Sequence, residues 1–591
     1  MGFVTMVGLL AVGFAAIAAG ITTWIRRRRR QRALLARVRA EWGQLRHRDC
    51  DVPSLVDFHR SRQDDGPSID DRTWDDLNMD SVFTILDHTE SVVGQQALYH
   101  RLRTPFVGPT LRAFDALVNV MHLHLHLADR ERAQMALAQL RDAAGYDLWR
   151  LAVPGTLESS SWHVLFPFLG AGTAVALILT PVWPVAIVGV ATGVVATMFV
   201  YARLARQLRV VRGPFRQLGP LLAAAKTIDA IEFPGADALA GTLHADLARL
   251  ARLRRMAGWV SRGLRGPFDL GGAIFKCVNV LLCLDANALF FGSRVLKAYG
   301  PELTRVIAVV GEIDAAISIA SYRQSTAGWT RPVWREAGTG VTLEGVRHPL
   351  LDEAVPNTVM IGDPSGMIVT GSNMSGKSTF LRTVGVTAVL AQTINTCLAA
   401  AYEAPPFVVK SCIGRADDPA TGKSYYLVEV DSVLALVKDS ESDEPHLFLF
   451  DELFRGTNTV ERIAAGEAVL RTLLAPRADG SPAPHVVVAA THDQDLVELV
   501  VDCYGAYHFT DSVGDEGLAF DYLLLPGVAS TRNAIRLLKM RGAPDVLVTS
   551  AIERADALDR QHAREPEPGP ESQLDLEPQL DLEPQPDPES R

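Results

Sequence analysis

One short segment limits the possible folds of this chain more than any other. Residues 371–379 read G-S-N-M-S-G-K-S-T, which is a complete G-x-x-x-x-G-K-[ST] pattern. The strand-like run M-I-V-T precedes it and the helix-like run F-L-R-T-V-G-V follows it. Such a loop joins a strand to a helix in a parallel α/β sheet, where functional groups gather at the carboxyl ends of the strands.

The residues of this loop are suited to hold the phosphates of a nucleotide. Glycines allow backbone N–H groups to approach phosphate oxygens, and the amino end of the following helix attracts negative charge. Lys377 is predicted to contact the β- and γ-phosphates, and Ser378 to bind Mg²⁺. The sequence therefore predicts a site for ATP and Mg²⁺, with these nucleotide-binding residues in the loop: Gly371, Asn373, Met374, Ser375, Gly376, Lys377, Ser378 and Thr379.

Two further apolar runs end in polar residues that complete such a site. The run L-F-L-F leads into Asp451 and Glu452. Asp451 is predicted to bind the metal ion, and Glu452 to activate the attacking water as a general base. The run V-V-V-A-A-T leads into His492, which can donate to the γ-phosphate and sense its loss. Capped strand ends and a structural histidine are the simpler alternatives. The predicted catalytic residues are Glu452, His492 and Lys377.

Three crossings of the cell membrane are predicted from long apolar runs. Residues 3–25 are uncharged, and the five arginines at 26–30 follow them like a stop-transfer signal, although they could also form a nucleic-acid patch. Residues 162–201 are long enough for two helices joined at P-V-W-P. Residues 270–293 contain charges such as Lys276 and are predicted to form a buried helix instead. The positive-inside rule then places the nucleotide site in the cytoplasm.

The predicted domain order follows from these segments and from changes in composition. Leu, Ala and Arg recur at helical spacing in the first half, whereas short β-rich runs alternate with helices after about residue 340. The tail is rich in Pro and Glu and cannot bury enough apolar surface to fold. The predicted domains are an anchor at 1–30, a mostly α-helical core domain in two parts at 31–160 and 203–335, a transmembrane hairpin at 161–202, an α/β P-loop NTPase domain at 336–560 and a disordered acidic tail at 561–591.

The charge and the cysteines limit the kinds of partner. The net charge is −10, but residues 565–591 hold nine acidic residues and one Arg, so the rest of the chain is nearly neutral. Contacts with a nucleic acid would then come from local basic patches rather than from the whole surface. The six cysteines are scattered without a C-x-x-C pair, which argues against a zinc site and favours a reducing compartment.

These motifs, taken in this order, resemble those of the MutS family of DNA mismatch-repair proteins. N-M-S-G-K-S-T in the loop is similar to N-M-G-G-K-S-T, and D-E-L-F-R-G-T-N at 451–458 is similar to D-E-I-G-R-G-T-S. R-H-P at 347–349 resembles the segment that precedes the loop in that family. I-G-R-A-D-D at 413–418 and G-K-S-Y-Y-L-V-E at 422–429 resemble I-G-A-x-D-D and G-x-S-T-F-M-x-E. L-D-H-T-E-S-V-V-G at 86–94 looks like the start of the family's helical core domain.

The resemblance implies an ATP-driven switch that works as a homodimer. It implies that Ser424 reaches across to the nucleotide of the partner, so that two chains form two composite sites. It also implies a MutS-type ATPase domain, related to ABC ATPases, that moves helical arms around DNA. The leading hypothesis is therefore a membrane-anchored ATPase that binds mismatched, damaged or branched DNA.

Several features depart from the family pattern. An amino-terminal mismatch-reading domain with its F-x-E element is not found in the sequence. Phe454 stands where the family has Gly, and the aromatic residue that would stack on adenine is missing near residues 353–357. Two other function classes therefore compete. One is an ABC-type transport ATPase, against which the missing L-S-G-G-Q stretch and the few crossings argue. The other is a membrane scaffold that binds ATP without hydrolysing it.

Overall fold

A computed structural model of the chain contains two compact units. The first is Met1–Phe509 with Tyr522–Ala529, and the second is Thr510–Asp521 with Ser530–Arg591. The structure describes residues 2–46, 48, 50–62, 67–105, 108–123, 126–153, 165–231, 233, 237–251, 253, 284–372, 374–414, 425–514, 517–528, 535, 538–539 and 541–562.

The amino-terminal part of the first unit is helical in its described residues, as its apolar spacing predicts. Two helices begin at side-chain caps, because Asp70 accepts a hydrogen bond of 2.8 Å from the N–H of Thr73 and Ser91 one of 2.9 Å from the N–H of Gly94. The helices are α1 (Gly2–Glu41), α2 (Val52–Arg62), α3 (Asp71–Asp76), α4 (Met79–Leu86), α5 (Val92–Arg103), α6 (Pro109–His122), α7 (Leu127–Leu137), α8 (Leu165–Leu179), α9 (Ala186–Asp229), α10 (Asp237–Arg249) and α11 (Leu284–Ser325).

The segment at 86–94, which resembles the start of a MutS core domain, packs against helix α11. Asp314 of this helix is fully buried and accepts hydrogen bonds from the N–H groups of Glu90 at 2.9 Å and Ser91 at 2.8 Å. It thereby satisfies donors at the amino end of α5. A Cβ atom at Gly94 would lie 2.2 Å from the Asp314 carboxylate, so the close packing of α5 on α11 requires glycine there.

The carboxy-terminal part of the first unit is built on two sheets. The strands are β1 (Val333–Trp334), β2 (Val341–Val346), β3 (Asn357–Ile361), β4 (Gly366–Thr370), β5 (Ala401–Ala404), β6 (Val408–Ile413), β7 (His446–Asp451), β8 (Val486–Ala490), β9 (Tyr504–Gly514) and β10 (Gly517–Pro526). The larger sheet has the order β10-β9-β4-β8-β7-β6, and the smaller one β1-β5-β2-β3. In the larger sheet β9, β4, β8, β7 and β6 pair in parallel, whereas β2 of the smaller one pairs antiparallel with β3 and β5. The strands predicted before the loop, the acid pair and His492 are β4, β7 and β8 respectively, so this prediction is confirmed.

The helix that follows the loop, α12 (Lys377–Ile394), joins the two parts of the unit. Its apolar residues share one hydrophobic core with those of the helical part. At its carboxyl end, Arg323 of α11 donates to the carbonyl oxygens of Ile394 and Asn395, both at 3.1 Å. Arg101 of α5 donates to the carbonyl oxygen one residue earlier at 3.3 Å. These arginines satisfy carbonyl groups that have no partner within the helix.

A second contact joins the two parts through Asp76 of α3. Its carboxylate accepts hydrogen bonds from the Ser411 hydroxyl at 2.7 Å and from the N–H of Ile413 at 3.0 Å, both in β6. Its carbonyl oxygen accepts from Nε of Arg382 in α12 at 2.8 Å.

Three more helices flank the larger sheet: α13 (Tyr425–Asp439), α14 (Thr459–Leu473) and α15 (Gln494–Val500).

The second unit includes the outer ends of β9 and β10. There the Thr510 hydroxyl donates to the Asp521 carboxylate at 2.8 Å. The unit also contains helix α16 (Asp545–His562). Most of the predicted acidic tail, residues 563–591, lies outside the described residues.

The segments predicted to cross a membrane contribute to helices. Residues 3–25 lie in α1, and residues 162–201 include α8 and the first part of α9. Within the described part of the chain, no helix has both the length and the apolar character needed to cross a bilayer. Residues 254–283, which include most of the predicted buried helix at 270–293, lie outside the described residues. The crossings and the domain boundaries stay predictions.

Candidate functional site

The predicted nucleotide loop connects β4 to α12, and its two glycines have backbone angles that side chains rarely allow. Gly371 has φ +146° and Gly376 has φ +111°. A Cβ atom at Gly371 would also lie 2.7 Å from the Ser375 hydroxyl and 3.1 Å from the carbonyl oxygen of Phe509. The loop therefore depends on glycine for its compact turn.

Two groups of the loop are suited to meet an anion. The Ser375 side chain is fully buried, and its hydroxyl has no hydrogen-bond partner among the described residues. The ammonium of Lys377, a buried residue, donates to the carbonyl oxygens of Gly371 at 2.7 Å and Ser372 at 2.9 Å. Leaving a buried hydroxyl without a partner is unfavourable, and a phosphate oxygen would supply that partner. Together with the helix amino end, these groups fit the phosphates of a nucleotide.

Ser378 and Asp451 meet at the same end of the sheet. The Ser378 hydroxyl donates a hydrogen bond to the Asp451 carboxylate. Burial raises the pKa of Asp451, and the bond from Ser378 opposes that rise. Hydroxyl and carboxylate oxygens are ligands that Mg²⁺ prefers, and Mg²⁺ commonly completes its shell with phosphate oxygens and water. The pair that was predicted to bind the metal therefore fits it.

Glu452 follows Asp451 in the chain but has different neighbours. Its Oε1 lies 3.3 Å from Nδ1 of His492, and its Oε2 lies 2.9 Å from Nε of Arg455. The bond with His492 lowers the pKa of Glu452 and raises the pKa of His492. The carboxylate is therefore held charged and fixed in direction, which suits a general base. His492, predicted as a phosphate sensor, is in direct contact with the predicted base.

The strand ends that carry these two residues are fixed by further bonds. Arg462 of α14 donates to both carboxylate oxygens of Asp493, at 2.8 and 2.9 Å. The N–H of Glu452 donates to the carbonyl oxygen of Ala490 at 2.9 Å, which ties the end of β7 to β8. His492 and Glu452 thus stand on neighbouring strand ends that cannot move independently.

A cavity of about 600 Å³ opens at this end of the sheet. The loop and the acid pair form one side, and the segment 351–355 after the R-H-P motif forms the other. Phe509 and Tyr522 complete the wall. The volume lies within the usual range for small-molecule sites. Groups for a triphosphate on one side and apolar and aromatic groups on the other suit a nucleotide.

The loop, the acid pair and His492 all lie in the carboxy-terminal part of the chain, which is similar to a known family. Residues 367–559 match MutS domain V. The matched part begins in β4 and ends within α16, so it contains each predicted catalytic residue. The resemblance to MutS proteins is therefore supported for this part of the chain.

Proteins named DNA mismatch repair protein MutS are similar to less than half of this chain. MutS 2 of Halobacterium salinarum is 33% identical over 282 residues, which are 46% of this chain and 31% of that protein. A MutS of Thermus thermophilus is 33% identical over 261 residues, or 44% of this chain and 30% of that protein. MutS of Methanothrix thermoacetophila is 30% identical over 271 residues, which are again 44% of this chain and 30% of that protein. The chain thus spans about a third of the length of these relatives.

Among the cavity residues for which no role was predicted are Phe509, Tyr522 and Arg455, all in the part that matches MutS domain V. The two aromatic residues give the cavity a ring surface, which the family resemblance placed near residues 353–357. Tyr522 is held in place because its carbonyl oxygen accepts from Nδ2 of Asn357 at 3.0 Å, across 165 positions of the chain. No local pattern indicates this contact. Arg455, in contrast, belongs to the D-E-L-F-R-G-T-N motif and could have been found from it.

The structure places most, but not all, of the predicted site residues. Asn373 and Ser424 lie outside the described residues. Gly371 and Ser375 shape the loop. The predicted residues that line the cavity are Met374, Gly376, Lys377, Ser378, Thr379, Asp451 and Glu452. Their roles in binding and catalysis stay predictions.

The contact between Glu452 and His492 leads to a testable pH dependence. The His492 imidazole should titrate above the usual range of histidine, because the Glu452 carboxylate stabilises its protonated form. In Glu452→Gln its pKa should return toward 6.5, the ordinary value. The pair should stabilise the fold most between the ordinary pKa values of Glu and His. That contribution is lost as pH rises through the raised pKa of His492 or falls through the lowered pKa of Glu452.

NMR of histidine-labelled protein across pH 4 to 9 measures this titration, with His492→Gln used to assign the signal. Glu498→Gln is the matched control, because Glu498 is an exposed acid on the neighbouring helix α15. The same His492 titration in wild type and Glu452→Gln would show that the two side chains are not coupled.

Proposed function

We propose that this protein binds ATP with Mg²⁺ in the cavity and hydrolyses it to ADP and phosphate. The proposal rests mainly on one observation. The Ser375 hydroxyl, which is buried and has no hydrogen-bond partner among the described residues, and the Lys377 ammonium lie in the loop that forms one side of this cavity together with the acid pair Asp451 and Glu452. The match to MutS domain V adds support from an independent direction.

The loop and the metal ligands would act on the phosphates. Backbone N–H groups, the Ser375 hydroxyl and the Lys377 ammonium can hold the phosphate oxygens and offset the charge that develops during transfer. Ser378 and Asp451 would hold Mg²⁺, which would supply a further positive charge to offset the charge of the phosphates.

The second acid and its partners would act on the water. Glu452 can accept the proton of the attacking water, since its contacts with His492 and Arg455 keep it charged before the reaction. Once Glu452 is protonated, its attraction to His492 weakens. The contact between His492 and Glu452 would therefore weaken and re-form in each turnover.

We also propose that two copies act together and that they bind DNA. The similar proteins are named DNA mismatch repair proteins, and the resemblance implies composite sites in which Ser424 serves the partner's nucleotide. Two exposed apolar side chains support an interface between copies. Met374 of the loop is 86% exposed, and Leu434 of α13, the helix that follows Ser424, is 60% exposed. A partner would cover such side chains.

The ATPase proposal predicts separate effects of two substitutions. Glu452→Gln should still bind Mg-ATP but hydrolyse it at least about 100-fold more slowly, because the general base is lost. Lys377→Ala should weaken nucleotide binding by about 10-fold or more, because a charge-assisted hydrogen bond is lost. Phosphate release and titration with a fluorescent ATP analogue measure the two effects.

Glu441→Gln is the matched control, because Glu441 is an exposed acid between α13 and β7. Nucleotide binding without any hydrolysis by wild type would favour the ATP-binding scaffold. Equal rates for wild type and Glu452→Gln would show that this acid is not the base. If wild type does not bind Mg-nucleotide at millimolar concentration, the proposal is wrong.

The DNA proposal predicts binding that weakens steeply with salt. A surface that contacts six to ten phosphates should lose a factor of about 1,000 or more in affinity between 50 and 200 mM salt. Fluorescence anisotropy with perfect, mismatched and branched duplexes measures both the slope and the preference. If none of the three binds at low salt, DNA is not a ligand of this protein.

We propose in addition that the chain is attached to the cell membrane with its ATPase part in the cytoplasm. Apart from the sequence of residues 3–25, the support comes from the hairpin formed by α8 and the start of α9. Val182 is 81% exposed, Ile178 73% and Trp183 68%, which is unusual for apolar side chains that have no cover. Lipid would cover all of them.

Fractionation of cells that express the full chain tests the attachment. The protein should stay in the membrane pellet after washes with high salt and alkaline carbonate, and detergent should release it. Replacing Ile178, Val182 and Trp183 by Ser should shift protein toward the supernatant, because apolar area leaves the lipid. Recovery of wild type in the carbonate supernatant would contradict the proposal.

A further inference from the structure

The turn that carries the predicted base has a conformation that is rare for its residues. Glu452 has φ +54° and Phe454 has φ +58°. Residues other than glycine seldom adopt this left-handed conformation, and bulky ones least of all. Phe454 even stands where MutS proteins have glycine. Such a turn persists only where surrounding contacts hold it.

Glu429 of α13 supplies these contacts from outside the turn. Its Oε1 accepts a hydrogen bond of 2.6 Å from the N–H of Phe454, and the neighbouring N–H of Arg455 also stabilises the charged carboxylate. Glu429 is 8% exposed, so water competes little for its oxygens. Burial raises the pKa of Glu429, and the two backbone donors oppose that rise. One buried carboxylate therefore binds the backbone of the turn at Phe454.

The held turn ends at the predicted base. The residue after Phe454 is Arg455, whose Nε lies 2.9 Å from Oε2 of Glu452. The N–H of Glu452 is bound on its other side by the carbonyl oxygen of Ala490 at 2.9 Å. Without the Glu429 carboxylate, the backbone at Phe454 would be free to leave its left-handed conformation. Glu452 would then lose its fixed direction.

We propose that Glu429 is a positioning residue for hydrolysis, which holds the turn 452–455 so that Glu452 faces the attacking water. This inference rests on the proposed ATPase function. Glu429 lies about one turn into α13, and this helix begins directly after Ser424. The family resemblance implies that Ser424 contacts the nucleotide of the partner. The first turn of α13 leads from Ser424 to Glu429, which binds the turn that carries Glu452.

Three substitutions at this position separate positioning from a general loss of structure. Glu429→Ala should lower kcat by roughly 10- to 100-fold and leave KM and nucleotide affinity within about 3-fold, because the turn loosens while the phosphate loop is untouched. Glu429→Gln should keep kcat within about 3-fold, since its amide oxygen can still accept from Phe454. Glu429→Asp is one methylene shorter and should behave like Glu429→Ala. Asp431→Ala is the matched control, because Asp431 is an exposed acid on the same helix.

A double substitution gives a readout that a merely structural role would not produce. In the Glu452→Gln background, Glu429→Ala should reduce the residual rate by less than about 2-fold, because the group that Glu429 positions is already missing. A full additional loss there overturns the inference, as does a wild-type kcat in Glu429→Ala. If Glu429→Ala does not fold, Glu429→Gln and Glu429→Asp decide, and equal kcat for these two overturns it. A wild type that does not hydrolyse ATP refutes the proposed function instead.

Discussion

The site depends on one buried helix, α12, whose two ends are bound by different parts of the chain. Its amino end follows the phosphate loop and directs its dipole there. Its carboxyl end is bound by Arg101 and by Arg323, which also pairs with Asp115 at 2.7 Å. Breaking a buried ion pair of this kind typically costs about 3–5 kcal/mol. A shift of the amino end of α12, next to the phosphate loop, would therefore strain the contacts of its carboxyl end with the helical part.

The two acids at the end of β7 show how neighbouring residues can lie in opposite environments. Asp451 is buried, which raises its pKa, and it bonds to Ser378. Glu452 turns away through a left-handed residue conformation, which costs about 1–3 kcal/mol, and bonds to His492, which lowers its pKa. Opposed environments of this kind are how a pair of carboxyl groups is divided between metal binding and base catalysis. The rare backbone angle at Glu452 is what separates the two environments.

The match to MutS domain V covers the sheet and its helices, but the site is not supported by that domain alone. Asp76 of α3 binds both β6 and α12, and Arg323 of α11 binds the end of α12. Both residues precede the matched region, which begins at residue 367. The helical part therefore directly contacts the sheet that carries the candidate site. A motion of α11 or α3 would be transmitted to that sheet through these two contacts.

The parts of this protein that could be predicted are those that depend on residues close together in the chain. The loop, the three strands that lead into functional groups and the acid pair follow from local patterns of glycine, apolar and charged residues. Other contacts could not be predicted, because they join Glu429 to Phe454 across 25 positions, Arg323 to Ile394 across 71, and Asn357 to Tyr522 across 165. Sequence alone determined which groups can do the chemistry. The tertiary structure decided which of them touch and which carry charge, because burial and neighbouring charges come from residues that only folding brings together.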